Sequence, residues 1–197
     1  MTTHKLTLDN GTAVHFRNLK PEDLDKLMMF YKALPEEDRR FLRIDVTNRD
    51  VVRKRLELMT EGQVVRLVAV RDDDKSIIAD GALDLSPEDW RKNQAEMRVI
   101  VSRDYQRQGL GMFMMKELTE IAHERKVELL VCKMMKEQRS ARKICQKLGF
   151  RKKQIIPGYV VDMFGDHHSL LIMTRKVSDA WGDLKNIYTT SDWRRHR

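Results

Sequence analysis

The sequence predicts an α/β domain, and two apolar segments carry most of that prediction. Residues 99–101 are β-branched, which is typical of a strand buried on both faces. From Leu110 onward, apolar residues recur at helical spacing after a turn with two glycines. A second apolar segment, 127–132, leads into a further helix that ends before Gly149 and Phe150. The pattern therefore predicts strand, glycine turn, helix, strand and helix in succession.

The N-terminal elements are predicted from local signals. Residues 5–17 alternate between apolar and polar types around Asn10-Gly11, which is a strong hairpin signal. Pro21, followed by two acids, begins a first helix. A second short helical segment follows at Pro35, and Asn48 is the expected N-cap of a third helix.

A charged turn is expected between the apolar segments 64–70 and 77–83, which read as a hairpin. The turn contains Asp72, Asp73 and Asp74. A metal site built from these three acids is the more specific alternative to a solvated turn. Adjacent acids in a turn are usually solvated, so we predict no metal there.

The glycine turn has the properties of a phosphate-binding site. Gly109 and Gly111 allow a ligand to approach the backbone, and the helix that follows contributes free N–H groups and a partial positive charge. The spacing differs from a P-loop, and Met114 stands where a dinucleotide fingerprint needs its third glycine. A plain strand-to-helix turn is the alternative interpretation.

Segments 158–164 and 169–174 predict two terminal strands around a turn that contains His167 and His168. The pattern shows no further ligands for these histidines, so we interpret them as part of a surface turn. Residues 1–177 then form one domain, and residues 178–197 form a basic tail or short helix. Packing of this tail on its own domain is the first interpretation, and a homodimer contact is the second.

Composition favours one soluble domain with a charged surface. The length of 197 residues is enough for one sizeable core. Two cysteines at unrelated positions make neither a disulfide framework nor a metal pattern, and no apolar run approaches a membrane span, so we expect a cytoplasmic protein without a membrane partner. The net charge of +8 is compatible with a solvated surface, steering of an anionic cofactor or nucleic-acid binding. Scattered acids and the lack of stacking aromatics disfavour nucleic acid.

The order of these elements resembles the GNAT superfamily of acyl-CoA-dependent N-acetyltransferases. Two motifs carry the resemblance: Q-x-x-G-x-G at 106–111, and the segment from Ala141 to Gly149-Phe150. It is firm over residues 65–150 and extends over 12–175. It implies a single mixed, mostly antiparallel sheet of six to seven strands, with helices on both faces and central parallel strands that splay apart.

The resemblance implies acetyl-CoA as co-substrate and no metal. The pyrophosphate would bind the glycine turn, and the pantetheine would pair with the backbone of the preceding strand. The implied cofactor-binding residues are Val99, Ile100, Val101, Gln106, Arg107, Gln108, Gly109, Leu110, Gly111, Met112, Gln138 and Arg142.

The implied reaction is direct transfer of an acetyl group to a primary amine. Glu96 is the candidate carboxylate for removing the proton of the amine, a role that needs a raised pKa; an exposed residue at a strand start is the alternative. Many relatives carry a tyrosine four residues before Gly-Phe to protonate the coenzyme A thiolate, and Cys145 stands there in this chain. The proton would come from Cys145, Tyr159 or water, unless Cys145 is simply a core residue.

The acceptor stays open between a protein lysine or N-terminus, an amino acid and a small amine. Two other functional classes compete with catalysis. Because the usual tyrosine is missing, the protein could be a non-catalytic regulatory module that binds acyl-CoA. The positive net charge favours the other alternative, a nucleic-acid-binding protein.

Overall fold

A computed structural model describes residues 5–85 and 89–180 of the chain. Its centre is one sheet of eight strands, one more than the upper expectation, in the order β1-β2-β3-β4-β5-β6-β8-β7. The strands are β1 (Lys5–Thr7), β2 (Ala13–Asn18), β3 (Val64–Arg71), β4 (Ile77–Leu85), β5 (Gln94–Val101), β6 (Leu129–Met135), β7 (Arg151–Val161) and β8 (His167–Lys176). The helices are α1 (Leu24–Ala33), α2 (Glu36–Arg39), α3 (Arg49–Thr60), α4 (Leu110–Glu124) and α5 (Arg139–Lys147).

The local signals in the first half of the chain are confirmed. β1 and β2 pair antiparallel around Asn10-Gly11, and β3 and β4 pair around the acidic turn. The side chain of Asn48 caps α3 by accepting hydrogen bonds from the N–H groups of Asp50 (3.0 Å) and Val51 (3.3 Å).

The terminal hairpin differs from its expected bounds. β7 begins at Arg151 and ends at Val161, and β8 already includes His167 and His168. β7 is the edge strand of the sheet and is largely exposed, so its residues need not alternate between apolar and polar types. The polar first half of β7 therefore could not be recognised as a strand from its sequence. From residue 181 onward, the expected tail lies outside the described residues.

Two apolar cores lie on opposite faces of the sheet. α4 and α5 cover one face, and α1 and α3 cover the other. α4 packs closely on β4 at Gly81, which has no side chain to separate the two elements. A Cβ placed there would lie only 3.0 Å from the side chains of Leu118 and Met114. Within the part of the chain that is described, no helix is long and apolar enough to cross a membrane.

The two central strands separate after a short parallel pairing. β5 and β6 pair only at three positions, from Gln94↔Leu129 to Glu96↔Val131, while every other neighbouring pair in the sheet is antiparallel. Beyond Glu96, β5 has a hydrogen-bonded neighbour only on its β4 side. The resulting gap connects the two faces of the sheet, as the splayed strands of the resemblance imply.

Candidate active site

A cavity of about 920 Å³ occupies this gap. It is lined on one side by the turn at residues 106–109 and by α5, and on the other by residues of α1 and the loop that follows α2. Val99, Ile100 and Val101 of β5 also line it. The cavity therefore brings together elements from both faces of the sheet.

The glycine turn presents backbone donors to the cavity. Gly109 is the N-cap of α4 in the left-handed conformation (φ 81°), and a Cβ there would have no atom within 4 Å. The N–H of Phe113 donates to the Gly109 carbonyl at 3.0 Å, so the N–H groups of Leu110, Gly111 and Met112 precede the first helical bond. Open space beside Gly109, together with N–H groups at the start of a helix, fits an anionic group such as a pyrophosphate.

The glutamines of the motif support the turn. Gln106 Nε2 donates to the Val101 carbonyl at 3.1 Å, and Gln108 Nε2 donates to the Asp104 carbonyl at 3.0 Å. Arg107 lies in the left-handed region, with φ 61°. These contacts fix the backbone of the turn and occupy the side-chain amides of Gln106 and Gln108, which leaves the backbone N–H groups as the donors that a ligand could use.

Two expected cofactor residues have side chains that do not line the cavity. Leu110 is buried in the core, and neither Leu110 nor Arg142 lines the cavity. The cavity is lined instead by three cations that are spaced one helical turn apart on α5: Arg139, Lys143 and Lys147. Gln138 lines the cavity as expected, but its side-chain oxygen accepts a hydrogen bond from the Met135 N–H at 2.9 Å and so stabilises the turn before α5.

Glu96 is ion-paired, which corrects the expectation of a raised pKa. Its carboxylate lies 2.8 Å from Lys133 Nζ and is also paired with Arg43. Burial by itself raises the pKa of Glu96, but the charge of Arg43 and the hydrogen bond from Lys133 outweigh it, so the pKa lies below its usual value. Arg43 and Lys133 line the cavity, whereas Glu96 does not.

Asp84 is a second carboxylate on the same sheet face, and it does line the cavity. It lies directly opposite Glu96 in the antiparallel register of β4 and β5. Arg98 Nη2 donates to Asp84 Oδ2 at 2.6 Å. The enclosed Oδ1 makes no hydrogen bond within the described residues. No local pattern in the sequence singles out Asp84.

A buried polar triad forms another part of the cavity wall and was also missed from the sequence. Arg66 and Asp80 are 6% and 4% exposed, and Arg66 Nη2 lies 2.5 Å from Asp80 Oδ2. The Tyr31 hydroxyl donates to Asp80 Oδ2 at 2.8 Å and accepts from Arg66 Nη2 at 2.7 Å. Burial and the neighbouring Asp80 charge raise the pKa of Tyr31, so its hydroxyl stays protonated.

Of the two candidate proton donors, Cys145 and Tyr159, only Cys145 lines the cavity. Cys145 is buried and lines the cavity, as does the buried Cys132 of β6. Tyr159 is 66% exposed on the edge strand and does not line the cavity, so its proposed role has no geometric basis.

Two acids of the β7–β8 turn lie beside His168 at the start of β8, whereas the sequence pattern shows no further ligands near the histidines. Ligand atoms of Asp162, Asp166 and His168 lie within 4.8 Å of one another. Arg40 Nη2, however, already donates to Asp162 Oδ2 at 2.6 Å. Burial raises the pKa of Asp162, but the hydrogen bonds from His168 and Arg40 hold it well below its usual range. We interpret the cluster as an ion-pair network that stabilises the turn.

Comparisons with known proteins agree with this geometry. In solved structures, a ribosomal-protein-S5-alanine acetyltransferase from Vibrio fischeri has a TM-score of 0.76 at 12% identity, covering 91% of this chain and 98% of that one. A ribosomal-protein-alanine N-acetyltransferase from Brucella melitensis has a TM-score of 0.70 at 21% identity, covering 82% and 98%. A GNAT phosphinothricin acetyltransferase from Sinorhizobium meliloti in complex with acetyl-CoA has a TM-score of 0.71 at 14% identity, covering 83% and 88%.

Sequence comparison identifies the family. No curated protein sequence matches the chain. A family model described as an acetyltransferase (GNAT) domain matches residues 14–151, which is more than half of the chain. The chain therefore belongs to the GNAT family of acetyltransferases, and it is an acyltransferase.

Proposed function

We propose that the protein transfers an acetyl group from acetyl-CoA directly to a primary amine. The observation that carries the proposal is one cavity that joins the N–H groups of the glycine turn to a carboxylate-bearing face of the sheet through the gap between β5 and β6. A donor and an acceptor entering from opposite faces would meet in this gap.

The donor half of the site would bind coenzyme A mainly through backbone groups. The N–H groups at the start of α4 would hold the pyrophosphate, with Arg139 and Lys143 supplying positive charge at the cavity wall. On the side facing β6, the backbone of β5 beyond Glu96 has no paired strand, so its polar groups are free to bind the amides of the pantetheine. Acetyl-CoA itself supplies an activated acetyl thioester.

The acceptor half needs a group that takes a proton. A lysine-type amine has a pKa near ~10.4, so only about one molecule in 10³ is neutral at pH 7. We assign the proton acceptor to Asp84, because its unpartnered Oδ1 offers a place for a bound donor and its side chain lines the cavity. Glu96, covered by Arg43 and Lys133, would position these two cations.

We assign the proton that the coenzyme A thiolate receives to Cys145. It occupies the position of the usual tyrosine and lines the cavity, whereas Tyr159 does not. The hydrogen bond from Cys132 lowers the pKa of the Cys145 thiol, which makes it a better proton donor. A regulatory module without catalysis remains the second candidate, because the tyrosine itself is missing.

An N-terminal alanine is the first acceptor to test. Two proteins of similar fold are named as ribosomal-protein-alanine acetyltransferases, and both are below 25% identity to this chain. Their names therefore prompt the choice of acceptor but do not establish it.

The test is turnover on a panel of amines. Purified protein and acetyl-CoA would be incubated with alanine-terminated peptides, lysine peptides blocked at the N-terminus, free amino acids and polyamines. We expect release of free thiol together with an acetylated product for one of these classes. Tight binding of acetyl-CoA without turnover on any class would instead favour the regulatory module.

A further inference from the structure

The acceptor half of the cavity carries more positive than negative charge. Two guanidinium groups on its wall each have their own carboxylate: Arg66 is paired with Asp80, and Arg98 with Asp84. Arg43 and Lys133 also line the cavity, but they share the single carboxylate of Glu96. One positive charge is therefore left without a counter-charge where the gap between β5 and β6 begins.

Two further charged side chains line the cavity from the helices over this face of the sheet. Asp38 of α2 accepts hydrogen bonds from Arg103 at 3.0 and 3.1 Å, so its charge is already compensated. Arg55 of α3 adds a cation that forms no ion pair within the described residues. These two side chains therefore do not remove the positive charge that Arg43 and Lys133 leave over.

Contacts with the protein hold Arg43 and Lys133 side by side. Arg43 Nη2 donates to the Lys133 carbonyl at 3.0 Å, and Lys133 Nζ lies 2.8 Å from Glu96 Oε2. Both cations line the cavity and Glu96 does not, so they stand between the cavity and their shared counter-charge. An ammonium group has three N–H donors, and Glu96 is the one acceptor that the described residues offer to that of Lys133.

We propose that Arg43 and Lys133 bind a carboxylate of the acceptor, so that the preferred acceptor is an amine with a carboxylate a few bonds away. This inference rests on the proposed function and adds the class of acceptor to it. Asp84, to which we assign the proton of the amine, lies directly opposite Glu96, with the Cβ atoms about 4.5–5.5 Å apart. Asp84 and Lys133 thus flank the same side chain, and one small group can reach both.

A carboxylate suits this position by its charge and by its hydrogen bonding. Its oxygens accept charge-assisted hydrogen bonds from ammonium and guanidinium groups, and its charge compensates the extra cation. A second ammonium group near the amine, as in a polyamine, would instead be repelled by the two cations. The α-carboxylate of a free amino acid and the acidic side chain of an N-terminal residue both provide the favoured chemistry.

The test measures the binding of four probes by calorimetric titration in the presence of coenzyme A, so it does not depend on turnover. One pair of probes is aspartyl-alanyl-alanine amide and asparaginyl-alanyl-alanine amide, and the other is alanine and alaninamide. Within each pair, an amide replaces one carboxylate. We expect the carboxylate to bind at least about tenfold more tightly in the first pair if a side chain is recognised, and in the second if an α-carboxylate is recognised.

Three results would overturn the proposal: equal affinities within both pairs, tighter binding of the amides, or no detectable binding of any probe. Turnover assays on the same probes separate this inference from the proposed function. Turnover without preference for a carboxylate would support catalysis and overturn the carboxylate site. Selective binding without turnover would support the carboxylate site and count against catalysis.

Variants locate the preference on the two cations. Lys133→Met should weaken binding of the preferred carboxylate probe to the level of its amide partner, whose own affinity should not change. Lys133→Arg keeps the charge and should keep the preference. Lys136→Met, at an exposed lysine that does not line the cavity, is the matched control. A preference that survives both Lys133→Met and Arg43→Met would show that the carboxylate binds elsewhere.

Discussion

The Glu96 carboxylate lies 2.8 Å from the ammonium group of Lys133, two residues beyond the last position of β6 that pairs with β5. Arg43, from the loop after α2, is paired with the same carboxylate and donates a hydrogen bond to the Lys133 carbonyl at 3.0 Å. This contact links three parts of the chain at the vertex of the gap. The carboxylate therefore offsets the repulsion between two cations that border the cavity.

Glu96→Gln should destabilise the protein in a pH-dependent way. At pH 7 we expect a loss of about 1–3 kcal/mol, because two partly buried cations lose their counter-charge. The folded-state pKa of Glu96 is lowered, so its contribution is present above the unfolded value near ~4.3 and disappears as the pH falls through the lowered value. Urea unfolding of both proteins between pH 7 and pH 3 measures this. The exposed Glu57→Gln serves as control. If the difference in unfolding free energy between wild type and Glu96→Gln grew as the pH fell, the ion-pair account would be contradicted.

Asp84→Asn should impair catalysis more than Glu96→Gln does. Asp84 lines the cavity and has an unpartnered oxygen, so the loss of its charge should lower kcat/KM by about 10²-fold or more. Asp74→Asn, in the exposed β3–β4 turn, controls for the change of residue type. Steady-state assays on the best acceptor measure the three variants, and the reverse order would return the proton-accepting role to Glu96.

Asp80→Asn should cost about 3–5 kcal/mol of stability, because it leaves the buried charge of Arg66 without its partner. Adding Arg66→Met in the same chain should recover part of that loss, since the uncompensated charge is then gone. Denaturant unfolding of the single and double variants tests this. A double variant less stable than Asp80→Asn alone would mean that the charge of Arg66 is not what makes the single change costly.

The glycine turn before α4 could be predicted from the sequence because its signal is local. Gly109, Gly111 and the start of α4 are neighbours in the chain, so their spacing already specifies the turn. The sequence places Arg139, Arg142 and Lys143 near the cofactor motifs, but only the structure shows that Arg139 and Lys143 line the cavity and Arg142 does not.

The acceptor half could not be predicted, because its charges come together only through the fold. Asp84 lies opposite Glu96 through the register of β4 and β5, and Arg43 arrives from a separate loop. The sequence leaves open whether Glu96 is exposed, and it gives no sign of the two cations that lower its pKa despite its burial. The fold also brings Cys132 of β6 and Cys145 of α5 to the wall of one cavity.

The most direct test of the account is calorimetric titration of acetyl-CoA into wild type, Gly109→Val and Gly165→Val. Both glycines have positive φ, 81° and 88°, and open space at the Cβ position, so both valines impose similar backbone strain. Only Gly109 lines the cavity. We predict that Gly109→Val weakens acetyl-CoA binding at least about tenfold, or by about 1.4 kcal/mol, while Gly165→Val binds like wild type. Undiminished binding by Gly109→Val would contradict the assignment of the glycine turn as the coenzyme A site.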